Sequence, residues 1–117
     1  MALAPYQRIR QKPDFQRAFK QGRRYHTPVL TLIIVPTEGA HSRLGLAIAK
    51  KHCRLAVQRN RIKRVVREFC RREFAQWPRS YDVVTLSKPN IQECSNIALQ
   101  QALQTAVQRF TMTHHRS

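Results

Sequence analysis

The groups best suited to chemistry in this sequence are the guanidinium groups of residues 54–72. This stretch holds seven arginines and one lysine but a single acid, Glu68. Arginine keeps its charge at physiological pH, and its planar set of donors matches two phosphate oxygens at once. A merely solvated helix usually mixes charges of both signs, because opposite charges one turn apart support the helix. The one-sided charge therefore favours a bound polyanion.

A helix is the element predicted to display these groups. No glycine or proline interrupts residues 54–72, and at about 100° per residue the apolar side chains fall on one side. The apolar side consists of Leu55, Ile62, Val65, Val66 and Phe69. The opposite side consists of Asn60, Lys63, Arg64, Arg67 and Arg71, with Arg59 and Arg61 on the two flanks. The pattern predicts one buried face and one cationic face.

No arrangement for catalysis by protein side chains accompanies this surface. Among the six acids, Glu68 and Glu73 alone have the spacing of an acid–base couple, and they lie on different sides of the helix. Three glycines are too few for a glycine-rich phosphate loop. The three cysteines, Cys53, Cys70 and Cys94, form no Cys-x-x-Cys motif and share no zinc spacing with the histidines. We therefore expect no metal site, and cysteines that act as small buried hydrophobic residues in a reducing compartment.

The composition supports one folded module that binds nucleic acid. The 117 residues contain 22 Lys and Arg against 6 Asp and Glu, a net charge of +16, with 42% hydrophobic residues. That hydrophobic content is too high for a disordered basic tail, and a strong positive field implies nucleic acid or, less often, an anionic membrane. Because the chain has no apolar run of about 18 residues and no apolar signal core, we expect a cytoplasmic protein.

Helices are predicted towards both ends of the chain. Pro13 opens a short helix over residues 13–21, and Gly22 ends it. Ser95 caps a last helix over residues 96–110. The apolar stripe of this last helix consists of Leu99, Ala102, Leu103, Ala106, Val107 and Phe110.

Strands are predicted between these helices. Residues 29–35 are β-branched and apolar, which indicates a strand covered on both faces. Residues 37–42 are predicted to form a hairpin loop, residues 43–49 the return strand and residues 81–86 a third strand, with a possible short edge strand in residues 23–28. One side of the return strand carries only the small residues Gly45, Ala47 and Ala49. That side is open enough for a helix or a ligand strand to approach closely.

This order of elements predicts an α+β fold, in which helices pack on a small mixed sheet of three to four strands. Residues 13–110 are predicted to form a single RNA-binding α/β sandwich domain. A basic irregular N-terminus at residues 1–12 precedes it, and a frayed tail at residues 111–117 follows. Seven of the 22 basic residues lie in residues 1–24 and twelve in residues 43–79. The first helix region and the central helix therefore build one broad basic surface.

Phe15 and Phe19 have two interpretations. Their shared helix face is most simply a core face, whereas the flanking Arg17 and Lys20 favour a stacking surface for unpaired bases. A major-groove helix usually follows a short turn, but this basic helix lies between strands. An open sheet face beside aromatic rings suits single-stranded nucleic acid better, so the residues favour RNA over DNA.

Residues 50–71 closely resemble the signature of the protein component of bacterial ribonuclease P. The matching residues are Lys50, Lys51, Ala56, Val57, Arg59, Asn60, Arg61, Ile62, Lys63, Arg64, Arg67 and Glu68. Further matches are Phe15, Phe19 and Gly22 in the opening helix, Gly45 before the lysine pair, and Asp82 with the two valines that follow. The resemblance spans about residues 8–110. It departs at His52, Cys53 and Arg54, where the family often has glycine, and in a tail that is not basic.

This resemblance implies an αβββαβα fold with a central cleft, like the second domain of ribosomal protein S5. It also implies that the basic helix forms a left-handed crossover, against the usual right-handed rule. The family cleaves the 5′ leader from precursor tRNA, and a large catalytic RNA positions the Mg²⁺ ions that activate water. The protein would bind no metal itself and would pair one-to-one with that RNA as a monomer.

The resemblance also implies residue roles. The expected contacts to the catalytic RNA are Lys50, Lys51, Arg59, Asn60, Arg61, Lys63, Arg64, Arg67 and Arg71. The expected border of the leader cleft is Phe15, Arg17, Phe19, Lys20, Ala47 and Ala49. Asn60 has a second interpretation as a cap of local backbone groups. Two other functions stay open: a non-enzymatic ribosome-associated protein or RNA chaperone, and a membrane-active basic protein whose helix folds only on lipid.

Overall fold

The structure is a computed structural model that describes residues 3–114. Its helices are α1 (Lys12–Gln21), α2 (Ala56–Phe74) and α3 (Asn96–His114). Its strands are β1 (Arg23–His26), β2 (Leu30–Pro36), β3 (Arg43–Ala47) and β4 (Tyr81–Ser87), and short 3₁₀ helices lie at Pro5–Gln7 and Ile91–Glu93. The αβββαβα order implied by the family resemblance is confirmed.

The four strands form one mixed sheet in the order β1-β2-β4-β3. Strand β2 runs antiparallel to both β1 and β4, whereas β3 runs parallel to β4. The predicted hairpin between residues 29–35 and 43–49 is therefore wrong. The first five residues of β4 are all buried, so β4 takes a central position that separates β2 from β3. Helix α2 then becomes the crossover from β3 to β4, and β3 ends at Ala47, two residues earlier than predicted.

Helices cover both faces of the sheet. Helices α2 and α3 enclose the larger core, which includes Leu32, Leu44 and Val83 from the sheet. Helix α1 covers the opposite face, where Ala18 packs with Ile33 and Val84. The strand β2 is buried from Leu30 to Val35, as predicted for a strand covered on both sides.

Helix α2 confirms most of its predicted stripe, because Ile62, Val66 and Phe69 are buried. Leu55 is the exception, with 62% of its surface exposed. It has extended backbone angles (φ −81°, ψ 127°) immediately before the first helical turn, so the helical period does not apply to it. Helix α2 starts at Ala56.

Helix α3 begins as predicted, since the Ser95 hydroxyl oxygen accepts a hydrogen bond from the Ala98 amide at 3.1 Å. It continues four residues beyond the predicted end at residue 110, because no glycine or proline interrupts the chain there. The predicted tail is therefore helical through His114, and residues 115–117 lie outside the described residues.

Gly22 follows the last residue of α1, as predicted, but for a different physical reason. Its φ of −73° is open to any residue, so left-handed backbone is not what selects glycine. A Cβ atom at Gly22 would lie 2.4 Å from Cγ2 of Ile33 and 2.5 Å from the Ala18 carbonyl oxygen. The close approach of the helix end to the sheet excludes a side chain there.

A buried carboxylate fastens α1 to the sheet. Asp82 of β4 is fully buried, and its Oδ1 and Oδ2 accept hydrogen bonds from Arg43 at 2.9 and 2.7 Å. Oδ2 also accepts a 2.8 Å bond from Nη2 of Arg17 on α1. The hydrogen bond to Asp82 raises the pKa of Arg43 above its ordinary value. One acid thus joins α1, β3 and β4 in a single ionic network.

The cysteines behave largely as predicted. Cys53 and Cys70 are buried free thiols, and Cys94 is half-buried against the larger core. Burial raises the pKa of the Cys70 thiol well above its ordinary value, so it stays protonated. No helix in residues 3–114 combines the length and the apolar character needed to cross a membrane.

Candidate nucleic-acid interface

The outer face of α2 displays the groups predicted to contact RNA. Asn60 and Arg64 are exposed on it. No hydrogen bond ties the Asn60 side chain to residues 3–114, so nothing there supports its alternative role as a local cap. Both side chains are directed at solvent and can meet a phosphate backbone without first breaking a contact of the protein.

Two arginines near the start of α2 are instead held by the protein. Arg59 donates from Nη1 to the carbonyl oxygens of Cys53 and Arg54, at 3.0 and 2.9 Å. These bonds join the first turn of the helix to the loop before it. The backbone of that loop therefore fixes the orientation of the Arg59 guanidinium.

Arg61 reaches across to the start of α3. Its Nη1 donates to Oδ1 of Asn96 at 2.7 Å, and its Nε donates to Oε1 of Gln58 at 2.8 Å. A 3.3 Å bond to the Gln92 carbonyl completes the set. The flank positions of Arg59 and Arg61, predicted from the helical period, thus correspond to side chains that brace the helix on both sides.

Lys63 and Arg67 face a cleft of about 230 Å³ at the outer edge of β3. The lining residues are Leu3, Arg8, Ile9, Arg10, Phe15, Leu44, Leu46, Lys63 and Arg67. Four of these nine are cations, and none is an acid. Burial lowers the pKa of Arg67, and the nearby charge of Arg8 lowers it further. The cleft is therefore a concentrated positive site within a partly apolar wall.

Arg71, near the end of α2, is paired within its own helix. It donates to the carboxylate of Glu68, from Nη2 at 2.5 Å and from Nε at 3.3 Å. The bond from Arg71 lowers the pKa of Glu68 to about 2. The single acid of the basic stretch thus neutralises the arginine one turn further along.

The lysine pair occupies a turn that the sheet holds in place. Lys50 and Lys51 are both exposed. The hydroxyl oxygen of Ser87, at the end of β4, accepts a 2.9 Å bond from the Ala49 amide and lies 2.8 Å from Nδ1 of His52. These contacts on either side of the pair fix the turn and place both ammonium groups just ahead of α2.

The two aromatic rings of α1 have different surroundings. Phe15 is half-buried, and its ring lies 2.7 Å from where a Cβ atom of Gly45 would be. The row of small residues predicted on β3 is thus approached by a ring of α1. Phe19 is 39% exposed. The two interpretations of these rings therefore separate, with Phe15 packed and Phe19 available at the surface.

The other residues predicted for the leader cleft have different surroundings. Arg17 is bound to Asp82 and to the Pro36 carbonyl oxygen, at 2.8 and 3.1 Å. Lys20 is exposed at the end of α1. Ala47 and Ala49 are half-buried at and just beyond the end of β3. Of the six, only Phe15 lines the cationic cleft beside α2.

Sequence reasoning missed two features of this surface. Arg8 and Arg10 line the cleft, although they lie in a segment predicted to be irregular. The sequence did contain one signal for their placement: Ile9, between the two arginines, is apolar, and the fold buries it. It also missed the link from Arg17 to Asp82, for which the signal was an acid inside a β-branched strand.

The described acids do not fit a divalent metal site. Residues 3–114 contain no group of three His, Cys, Asp or Glu side chains that could hold a metal ion. Asp14 of α1 and Asp82 of β4 both accept hydrogen bonds from Arg43, so a guanidinium group already compensates their charge.

The protein has a sheet covered by helices, a cationic helix face and a cationic cleft beside that face. These features are those of a small α+β protein that binds nucleic acid. The family model for ribonuclease P matches residues 3–111. The ribonuclease P protein component of Haemophilus influenzae strain PittGG is 41% identical over 96 residues, which cover 82% of this chain and 80% of that protein. That of Pasteurella multocida strain Pm70 is 42% identical over 95 residues, which cover 81% of this chain and 79% of that protein.

Solved structures agree with these relatives. The ribonuclease P protein of Staphylococcus aureus superposes with a TM-score of 0.80 at 26% identity, over 88% of this chain and 94% of that one. The protein from Thermotoga maritima, in complex with 1-(4-fluorophenyl)-2-thiourea, gives 0.76 at 26% identity, over 86% and 97%. The chain belongs to the bacterial ribonuclease P protein family, and its function is that of the protein component of this tRNA-processing ribonucleoprotein endoribonuclease.

Proposed function

We propose that the chain binds the catalytic RNA of ribonuclease P through α2 and binds the 5′ leader of precursor tRNA beside α1, and thereby promotes 5′ maturation of tRNA. The observation that carries the proposal is the division of α2 into an outward face with Asn60 and Arg64 and a cleft face with Lys63 and Arg67. One helix can then contact two RNA segments from two directions.

In this proposal the protein supplies charge and shape, and the RNA supplies the chemistry. Mg²⁺ ions held by the catalytic RNA would activate the attacking water. The contribution of the protein is to neutralise phosphates, which lowers the Mg²⁺ concentration that the folded RNA needs. The pairing of Asp82 and Glu68 with arginines supports this assignment, because neither carboxylate is available to act as a base.

The contact to the catalytic RNA is tested with Arg64→Ala, since Arg64 is exposed and its loss leaves the core intact. We expect weaker assembly with the catalytic RNA, and a salt dependence whose slope falls by about one phosphate's worth, roughly 0.7–0.9. Arg79→Ala is the matched control, because Arg79 is exposed but lies after α2. Equal affinity and equal slope in the two variants would reject the role of Arg64.

The leader contact is tested with Phe19→Ala. Stacking of a base on an aromatic ring contributes about 1–3 kcal/mol, and with Phe19 only 39% exposed we expect the lower end, roughly a fivefold loss of preference for precursor over mature tRNA. Met112→Ala on α3 is the control, since Met112 is also exposed and apolar. If a folded Phe19→Ala protein keeps the full preference, the leader role of α1 is wrong.

The proposal also includes the stoichiometry of the complex and the compartment in which the protein works. A one-to-one complex with the catalytic RNA in the cytoplasm fits a chain whose cysteines are free thiols in residues 3–114. An RNA chaperone or ribosome-associated protein would bind RNA without any effect on precursor cleavage. Reconstitution with the catalytic RNA separates these functions.

A further inference from the structure

The segment before α1, residues 3–11, is a fixed element of the fold. Leu3 and Ile9 are buried, at 2% and 5% exposure. The Ile9 amide donates a 2.9 Å hydrogen bond to the Leu44 carbonyl oxygen, and Arg8 forms a parallel bridge with Leu44 at the outer edge of β3. This N-terminal segment therefore has a defined position relative to the sheet and to α2.

The anchored segment places two arginines opposite two cations of α2. Because Ile9 is buried, Arg8 and Arg10 line the cleft on one side, and Lys63 and Arg67 line it on the other. Nη2 of Arg8 donates to the Leu3 carbonyl oxygen at 3.1 Å, which fixes the guanidinium. The Arg8 Nε is buried and has no hydrogen-bond partner among the described residues.

This arrangement costs free energy in the isolated protein. Like charges in a partly buried site repel more strongly than they do in water, and an unpaired buried donor carries a desolvation penalty. No acid lines the cleft to offset either cost. An anion between Arg8 and Arg67 would relieve the repulsion and accept charge-assisted hydrogen bonds from both guanidinium groups.

We propose that this cleft is a phosphate-binding site for RNA, in which Arg8 and Arg67 donate to one phosphodiester. The inference rests on the proposed function in that the ligand is RNA. The cleft has a volume of about 230 Å³, below the roughly 300–1,000 Å³ of pockets that enclose drug-sized molecules. It therefore accepts a single phosphate and the neighbouring sugar. Leu44, Leu46 and Phe15 provide the apolar wall for that sugar or its base.

The experiment compares Arg8→Gln, Arg67→Gln and the double variant with Arg79→Gln. Arg79 is exposed and does not line the cleft, so this control removes the same charge elsewhere. Affinity for the catalytic RNA is measured across a range of salt concentrations. Preference for precursor over mature tRNA is measured in the reconstituted holoenzyme. Thermal unfolding of each free variant reports on folding.

We expect each cleft variant to lose roughly tenfold in one of the two RNA measurements and to lower the corresponding salt slope by about one phosphate. The double variant should lose less than the product of the single losses, because both arginines serve the same phosphate. A loss in affinity for the catalytic RNA assigns the phosphate to that RNA. A loss in precursor preference alone assigns it to the leader, and either result supports the site.

The inference is overturned if both cleft variants match Arg79→Gln in affinity, salt slope and precursor preference. It is also overturned if RNA binding falls only in proportion to a loss of folded protein. If Arg8→Gln unfolds, titration of the wild-type protein with inorganic phosphate decides, followed by nuclear magnetic resonance of the arginine side chains. Saturable shifts at Arg8 and Arg67 support the site, and their absence rejects it.

Failure of this inference is distinct from failure of the proposed function. If the wild-type protein does not stimulate the catalytic RNA at all, the proposed function is wrong. If the wild-type protein stimulates cleavage while Arg8→Gln and Arg67→Gln behave like Arg79→Gln, only the phosphate site is rejected.

Discussion

Replacing Asp82 by asparagine should destabilise the protein strongly. The Asp82 side chain is fully buried, and it accepts hydrogen bonds from both Arg17 and Arg43. Removing one partner of a buried ion pair typically costs about 3–5 kcal/mol. The side chains of Arg17 and Arg43 are 32% and 28% exposed, so water can solvate them in part. We therefore expect the lower end of that range, about 3 kcal/mol of the free energy of unfolding.

Thermal and urea-induced unfolding would measure this loss. At roughly 4 °C per kcal/mol for a domain of about this length, Asp82→Asn should lower the Tm by about 12 °C. Asp14→Asn is the matched control, because Asp14 is 28% exposed and lies 3.4 Å from the same Arg43. A partly exposed pair of this kind contributes about 0–1 kcal/mol.

A comparable loss in the two variants, within about 1 kcal/mol, would show that the Asp82 network does not hold α1 on the sheet. A large loss in Asp82→Asn with a normal Asp14→Asn supports the network as the link between α1, β3 and β4. The measurement needs no RNA, so it tests the fold independently of function.

Three further predictions concern α2 and the thiols. The bond from Arg71 lowers the pKa of Glu68 to about 2. The stabilisation from this pair is therefore present above the ordinary pKa of a glutamate side chain and is lost as pH falls towards 2. Titration of the Glu68 carboxyl near its ordinary pKa would contradict this prediction. Glu68→Gln should free Arg71 and tighten binding to the catalytic RNA by roughly two- to fivefold, and weaker binding would refute that expectation. A thiol reagent should label half-buried Cys94 first, and should label buried Cys53 and Cys70 only on unfolding; rapid labelling of Cys70 would contradict the packing of α2.

The sequence predicted most elements of the fold but not the order of the strands. The burial of β2 and the stripe of α3 follow from local residue patterns, which is why both predictions hold. Alternation along residues 43–49 indicates a strand but carries no information about its partner. The position of β4 between β2 and β3 depends on pairing between segments that are distant in sequence. The residues of the loop between β2 and β3 do not indicate that pairing.

The candidate interface could be predicted in outline for a similar reason. The charge of α2 is a local property, and Arg64 is exposed as its helical position indicates. Contacts between segments that are distant in sequence could not be predicted from such local properties. Arg17 meets Asp82 across 65 positions of sequence, and Arg8 reaches the cleft only because Ile9 is buried against the sheet. Neither contact is predictable from local residue patterns, because each depends on how distant segments pack.

We propose that this chain assists a catalytic RNA and does not itself break the phosphodiester bond. The most direct measurement is cleavage of precursor tRNA at limiting Mg²⁺ by the purified, RNA-free protein, by the catalytic RNA, and by the two together. We predict no cleavage by the protein alone, little by the RNA alone, and strong cleavage by the mixture. Leader removal by the RNA-free protein, or a mixture no more active than the RNA alone, would show that the protein does not have this assisting role.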